Sequence, residues 1–238
     1  MIKYFAVVLC LILAGLFSMY FWIGVPKIYS LGEVQKPVPH LWDNASVSIG
    51  EIEITAVYFV PKNKTNFMIT DWSGKLEVGL KKAAAFYDLQ LRGLAKINYK
   101  IHPDPIIGFE NNLFYDTDVT QHGNPEALRR ITLELEDRDF FQPNPNGPYK
   151  ILAVMYEGVG ASGSDRTAFV SRVFLSDVKY GSQGASVLAH EIGHAFGIPD
   201  AYLPGTAAPL SQDIMGVGQR GPIEKTYLEK ETLKKLGI

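Results

Sequence analysis

Residues 190–200 read His-Glu-Ile-Gly-His-Ala-Phe-Gly-Ile-Pro-Asp. On a helix, His190 and His194 stand at i and i+4 and project from one face, one turn apart. Two neutral imidazoles at that separation can reach a single tetrahedral zinc ion. Glu191, beside the first histidine, can contact a metal-activated water without ligating the metal. Gly197 follows the second histidine by three residues, where a helix can end on the left-handed conformation that glycine adopts cheaply. The turn that follows can carry Asp200 back toward the ion. Two imidazoles and a carboxylate leave a fourth position for water, the arrangement of a catalytic rather than a structural zinc. Plainer readings stand beside these. His190 and His194 could be packed core histidines, Asp200 could cap a turn after Pro199, and Met215 could be core filler. His40, His102 and His122 are isolated in the sequence and read as surface or packing residues.

The elements expected to position this segment alternate between strands and helices. Glu51–Val60 is β-rich and ends at Pro61, and Leu76–Leu94 has apolar residues at helical spacing with Gly93 near its stop. Ala95–Ile101 reads as a second strand. Asn124-Pro125-Glu126 has the signature of a helix start and opens a helix to about Phe140. Lys150–Tyr156 and Thr167–Leu175 read as strands, Gln183–Phe196 as the helix that carries the two histidines, and Pro222–Leu236 as a final amphipathic helix. This alternation predicts an α/β layered (α+β) domain with a mixed sheet.

The whole chain has 238 residues, 47% of them hydrophobic, and a net charge of −2. That composition excludes disorder as the main state. The near-equal counts of 23 basic and 25 acidic residues exclude bulk electrostatic capture of nucleic acid. One cysteine, Cys10, excludes an internal disulfide framework. Much of the apolar surplus lies in residues 4–25, which contain no charge. At about 1.5 Å per residue such a helix spans roughly 33 Å, enough for a bilayer core. The expected organisation is a membrane anchor or signal segment over residues 1–26, a proline-containing linker over 27–46 and one catalytic domain over 47–238. The domain is expected outside the cytoplasm, single-pass, and secreted if the first segment is cleaved. Oligomeric state is not legible.

Two other patterns compete for a function. Gly158–Gly163 matches G-x-G-x-x-G, but a dinucleotide site needs a helix to open there, and the strand pattern at Thr167–Leu175 argues instead for a loop between strands. Asp116 and Asp118 have spacing too poor for a calcium site, so a polar turn is the reading. Asn44 and Asn63 lie in Asn-x-Ser/Thr sequons.

Taken with Asp213-Ile214-Met215-Gly216, the residues His190, Glu191, His194, Gly197 and Asp200 make the sequence resemble the metzincin clan of zinc metalloendopeptidases. Its third ligand is usually histidine. The HExxHxxGxxD form found here is similar to the snapalysin-type and immune-inhibitor-A-type peptidases. The close match covers residues 186–216. The resemblance implies a zincin-like fold, zinc held by His190, His194 and Asp200, and Glu191 as general base. It also implies a Met-turn in which Met215 forms a hydrophobic floor under the ligands, and a protein or peptide substrate laid along a sheet edge formed by Thr167–Leu175. The alternatives are a zinc hydrolase of a non-peptide substrate and a non-catalytic, membrane-tethered binding domain.

Overall fold

A computed structural model describes residues 36–118, 128–143, 147–201 and 212–238. The expected membrane segment at 4–25, Cys10, His122 and the helix start at 124–126 lie outside these residues. Among the described residues, no helix is long and apolar enough to cross a membrane.

Strand β1, Glu51–Val60, forms the spine of the fold. Helix α1, Trp72–Gln90, follows it, then β2, Lys96–Ile101, and the two-residue β3, Ile106–Ile107. Two short helices, α2 (Asn112–Tyr115) and α3 (Arg129–Asp137), precede β4, Tyr149–Tyr156. β5 (Ala161–Ser164) and β6 (Thr167–Ser171) form a hairpin, followed by α4 (Arg172–Ser176), α5 (Gln183–Ala195) and, near the end, α6 (Lys230–Lys235). The sheet runs β2-β1-β4-β6-β5, with β3 also paired to β1. All pairings are parallel except β5 with β6, which is antiparallel.

β1 and β4 are buried on both faces, as parallel strands covered by helices must be. Their alternation sorts side chains into two cores. Ile54, Ala56, Tyr58, Ile151, Ala153 and Met155 pack with α1 and α5. Val57, Phe59, Leu152, Val154 and Tyr156 pack with Ile131 and Leu135 of α3. The mixed α/β architecture is thus the one expected, with α5 on the first of these faces.

Several elements differ from expectation. The strand expected over Thr167–Leu175 ends at Ser171, whose hydroxyl accepts from the Val173 N–H and starts α4. Its alternating pattern conceals a cap, and a serine that turns the chain reads like any other polar residue in an alternation. β6 is flanked by β4 and β5, so it is not the sheet edge; β5 is. The Gly158–Gly163 segment is a turn leading into that edge strand, and no helix opens there. The helix expected over Pro222–Leu236 is a 3₁₀ turn at Ile223–Lys225, an extended stretch and then α6. The stretch is held open by hydrogen bonds to distant groups: Ile214 N–H donates to Tyr227 O at 2.8 Å, and Leu228 N–H donates to the Gln90 side chain at 2.8 Å. Residues within 37–46, in the segment expected as a linker, are bonded to residues of the domain expected over 47–238. His40 N–H donates to Leu236 O, and Trp42 N–H donates to Phe196 O.

Candidate metal centre

α5 is mostly buried, which suits its run of small and apolar residues (Ala185, Val187, Leu188, Ala189, Ile192). Its end is built by Gly197. Gly197 N–H donates to His194 O at 2.9 Å, and the φ of +80° at Gly197 turns Ile198 N–H back to Gly193 O at 3.1 Å. This paired closure is a Schellman turn, the termination expected for a glycine just past a helix end. It has a chemical consequence. The turn places Ile198 O against His194, whose Nδ1 donates to it at 2.8 Å.

His190 is held the same way from a different part of the chain. Its Nδ1 donates to Ile214 O at 2.8 Å, in the turn preceding Met215. A carbonyl only accepts, so both Nδ1 atoms carry their protons and both Nε2 lone pairs face inward. The two Nε2 atoms are 3.1 Å apart. Asp200 Oδ1 lies 3.3 Å from the first and 3.4 Å from the second. Ligand atoms held about 2.0–2.1 Å from a tetrahedral zinc stand roughly 3.3 Å from one another. The three atoms are therefore spaced as one face of a zinc tetrahedron would be. Three inward acceptors at such spacing repel unless a cation lies among them. His190, Glu191 and His194 also form a group able to hold a metal ion, with ligand atoms within 4.8 Å of one another. Asp200 completes the tighter triangle.

The electrostatics agree. Burial tends to lower His194, but the Asp200 and Glu191 carboxylates outweigh it and raise its pKa. Burial tends to raise Asp200, yet its bonds to His190 and His194 hold it well below the usual carboxylate range. Glu191 is driven upward by burial despite the neighbouring histidines.

Met215 is 1% exposed and sits beneath the helix. A Cβ at Gly193 would stand 2.4 Å from Met215 Sδ and 2.9 Å from the Tyr87 hydroxyl, so a glycine is what admits both. The Met215 N–H is held by Asp213 Oδ1 at 2.8 Å, and Met215 O accepts from Ala201 N–H at 2.9 Å. That last bond ties the turn containing Met215 to the residue following Asp200. On the other side, a Cβ at Gly163 of β5 would stand 2.3 Å from Glu191 O and 2.9 Å from His194 Cβ. The edge strand thus lies directly on the histidine-bearing turn of α5.

The structure brings together His190, Glu191, His194, Asp200, Gly197 and Met215. It keeps His40 and His102 elsewhere, each with Nδ1 against a nearby carbonyl, Leu41 O and Asp104 O. Asp118 pairs with Lys64 at 3.3 Å, and Asp116 lies 4.0 Å from Arg130, as a polar surface turn would. Sequence reasoning missed the two carbonyls that orient the histidines, because backbone acceptors have no residue signature. It also missed Gly163 as a site neighbour, although Gly163 is the last glycine of the motif considered for a nucleotide. Gln219 was missed too; its side-chain amide nitrogen lies 3.5 Å from His190 Nε2.

No family model matches the chain, and no curated protein matches it. Among solved structures, catalytically inactive OgpA from Akkermansia muciniphila, in complex with an O-glycopeptide (glycodrosocin) substrate, is similar at 12% identity and a TM-score of 0.46. The similarity covers 78% of this chain but 59% of that one, so the chain spans about three fifths of OgpA's length. A zinc-dependent peptidase from Methanocorpusculum labreanum is similar at 15% identity and a TM-score of 0.41, covering 78% of this chain and 99% of that one. The chemistry of the present site rests on its own geometry.

Proposed function

We propose that the protein is a zinc-dependent endopeptidase of metzincin type, anchored in a membrane through residues 4–25 with its catalytic domain outside the cytoplasm. The observation that carries the reading is the triangle of His190 Nε2, His194 Nε2 and Asp200 Oδ1, with edges of 3.1, 3.3 and 3.4 Å and both Nδ1 protons committed to carbonyls. The donor set suits zinc: two imidazoles and one carboxylate, all on one side, with Met215 packed below. Zinc, when bound, supplies a Lewis acid that polarises a carbonyl and brings the pKa of a water toward roughly 7.

The remaining steps belong to the protein's own groups. Glu191 takes a proton from the water whose oxygen bonds to the scissile carbonyl carbon. It then delivers that proton to the departing amine as the C–N bond breaks. A carboxylate buried as Glu191 is has a raised proton affinity, which brings it nearer to working pH than a solvated glutamate. His190 and His194 are kept in one tautomer by Ile214 O and Ile198 O, so their lone pairs need no reorganisation. β5 supplies the sheet edge in place of the Thr167–Leu175 strand. An extended peptide added there by main-chain hydrogen bonds would lie across the turn of α5 that carries Glu191 and His194.

The test uses the full chain in detergent. One zinc per chain and cleavage of an unfolded protein substrate, lost on chelation and restored by zinc, are the expected results. Zinc binding without any peptide cleavage would move the assignment to a hydrolase of another substrate, and failure to bind zinc would overturn it altogether.

A further inference from the structure

His190 and His194 each give the Nδ1 proton to a carbonyl at 2.8 Å, but the two carbonyls belong to unlike peptide groups. Ile198 O belongs to the Ile198–Pro199 peptide, whose nitrogen carries no hydrogen. Ile214 O belongs to the Ile214–Met215 peptide, whose N–H donates to Asp213 Oδ1 at 2.8 Å. One planar amide is therefore gripped at both ends. A carboxylate holds its N–H, and an imidazole N–H holds its oxygen.

The surroundings of Asp213 keep that grip in place. The residue is 1% exposed, and its other carboxylate oxygen accepts from Glu229 N–H at 3.3 Å, at the start of α6. Its main-chain oxygen accepts from the N–H groups of Gly216 and Gly218, both at 2.9 Å, which closes the chain around Met215. Burial raises the pKa of the side chain, and the bonds from Met215 and Glu229 N–H oppose this by favouring the anion. A hydrogen bond to an ionised acceptor is roughly twice as strong as one between neutral groups. Hydrogen bonds in series polarise one another, so an anion at the N–H makes the carbonyl oxygen of the same amide a better acceptor. A better acceptor at Nδ1–H enriches the imidazole ring and makes Nε2 a stronger donor to a cation. Carboxylates in direct contact with metal-binding histidines act in this way. Here the carboxylate stands one peptide group further out.

We infer that Asp213 is a positioning residue for His190: its carboxylate, acting through the Ile214–Met215 peptide group, fixes the imidazole and strengthens Nε2 as a metal ligand. This rests on the zinc reading of the centre. His194 has no such support, because Pro199 leaves its acceptor peptide without an N–H to be gripped. An aspartate that only shaped the turn would be replaced equally well by any neutral acceptor.

The experiment compares wild type with Asp213→Asn and Asp213→Ser as full chains in detergent. Each variant offers Met215 N–H a neutral side-chain oxygen, so the turn keeps an acceptor and loses the charge. Magnetic resonance with nitrogen-15 histidine labelling, with and without zinc, reads the two Nδ1–H protons, and urea unfolding checks the fold. The His190 proton is expected to move upfield together with the Met215 amide proton, while the His194 proton stays. Zinc affinity, read by competition with a chromogenic chelator, is expected to fall about tenfold, the lower end of the range for outer partners of metal ligands. A His190 proton that does not move in a folded variant would overturn the inference, as would an unchanged zinc affinity where the wild type binds zinc. Equal movement of both histidine protons would also overturn it, by marking a general disturbance of the turn. If neither variant folds, the wild type decides: the His190 proton must lie downfield of the His194 proton, and the reverse order sinks the relay. A wild type that binds no zinc, with the His190 proton still moving in Asp213→Asn, would overturn the proposed function and leave the polarised peptide standing.

Discussion

His190 Nδ1 donates to the carbonyl of Ile214 at 2.8 Å, across 24 residues of sequence. This bond joins the histidine-bearing helix to the turn that holds Met215. It fixes the imidazole tautomer from outside the metal triangle, so the proposed first ligand is aligned before any ion arrives. Its counterpart, His194 to Ile198 O, is local and comes from the helix-ending glycine. The proposed centre is thus oriented once by a neighbour in sequence and once by a distant segment.

Glu191→Gln keeps the shape and removes the base. Zinc content is expected to stay at one per chain, measured by metal analysis, while kcat falls by about 10²–10⁴-fold. Normal turnover by this variant would remove Glu191 from the mechanism. Because burial disfavours its carboxylate, the metal-free variant should also melt somewhat higher than wild type near neutral pH.

Asp200→Ala opens the triangle and leaves two imidazoles. Zinc affinity is expected to fall by at least about 100-fold, since even outer partners of metal ligands are worth 10–100-fold. Competition with a chromogenic chelator reads this directly, and an unchanged affinity would assign the third ligand to another residue.

Gly163→Ala and Gly193→Ala test two close approaches to α5 with different outcomes. At Gly163 the new methyl meets the Glu191 backbone, which cannot give way without moving the helix. At Gly193 it meets mainly the flexible end of Met215. The first should cost about 1–3 kcal/mol and depress activity; the second should cost less. Urea unfolding of the two variants gives the order, and equal costs would contradict the backbone contact.

Tyr149 tests the alkaline side. Its hydroxyl donates to Ala195 O at 2.6 Å near the end of the histidine-bearing helix. Burial pushes its pKa up to about 12 from 10. A raised folded-state value means that the stabilisation is present below about pH 10 and is lost as pH rises toward about 12. Tyr149→Phe should cost about 1 kcal/mol at neutral pH and show a shallower loss of stability above pH 10, followed by circular dichroism. An alkaline limb as steep as in wild type would assign it to another group.

The ligand spacing, the acid beside the first histidine and the glycine that ends the helix were all readable in the sequence, because each depends on residues within one or two turns of a helix. The strand over Glu51–Val60 coincided with expectation for a related reason: a β-rich run stopped by proline needs no distant partner to be recognised. Tertiary structure decided the rest. Which strand forms the sheet edge depends on pairing order: β6 lies between β4 and β5, so β5 is the edge, while a Ser171 cap within the alternating run ends β6. The final helix was shortened because Tyr227 and Leu228 pair with distant backbone and side-chain groups, which outweighs helical periodicity in a short segment. The Ile214 carbonyl, the floor under Gly193 and the Gln219 amide have no signature of spacing at all. They reach the site only because the chain, after leaving α5 at Gly197, returns to pack against it.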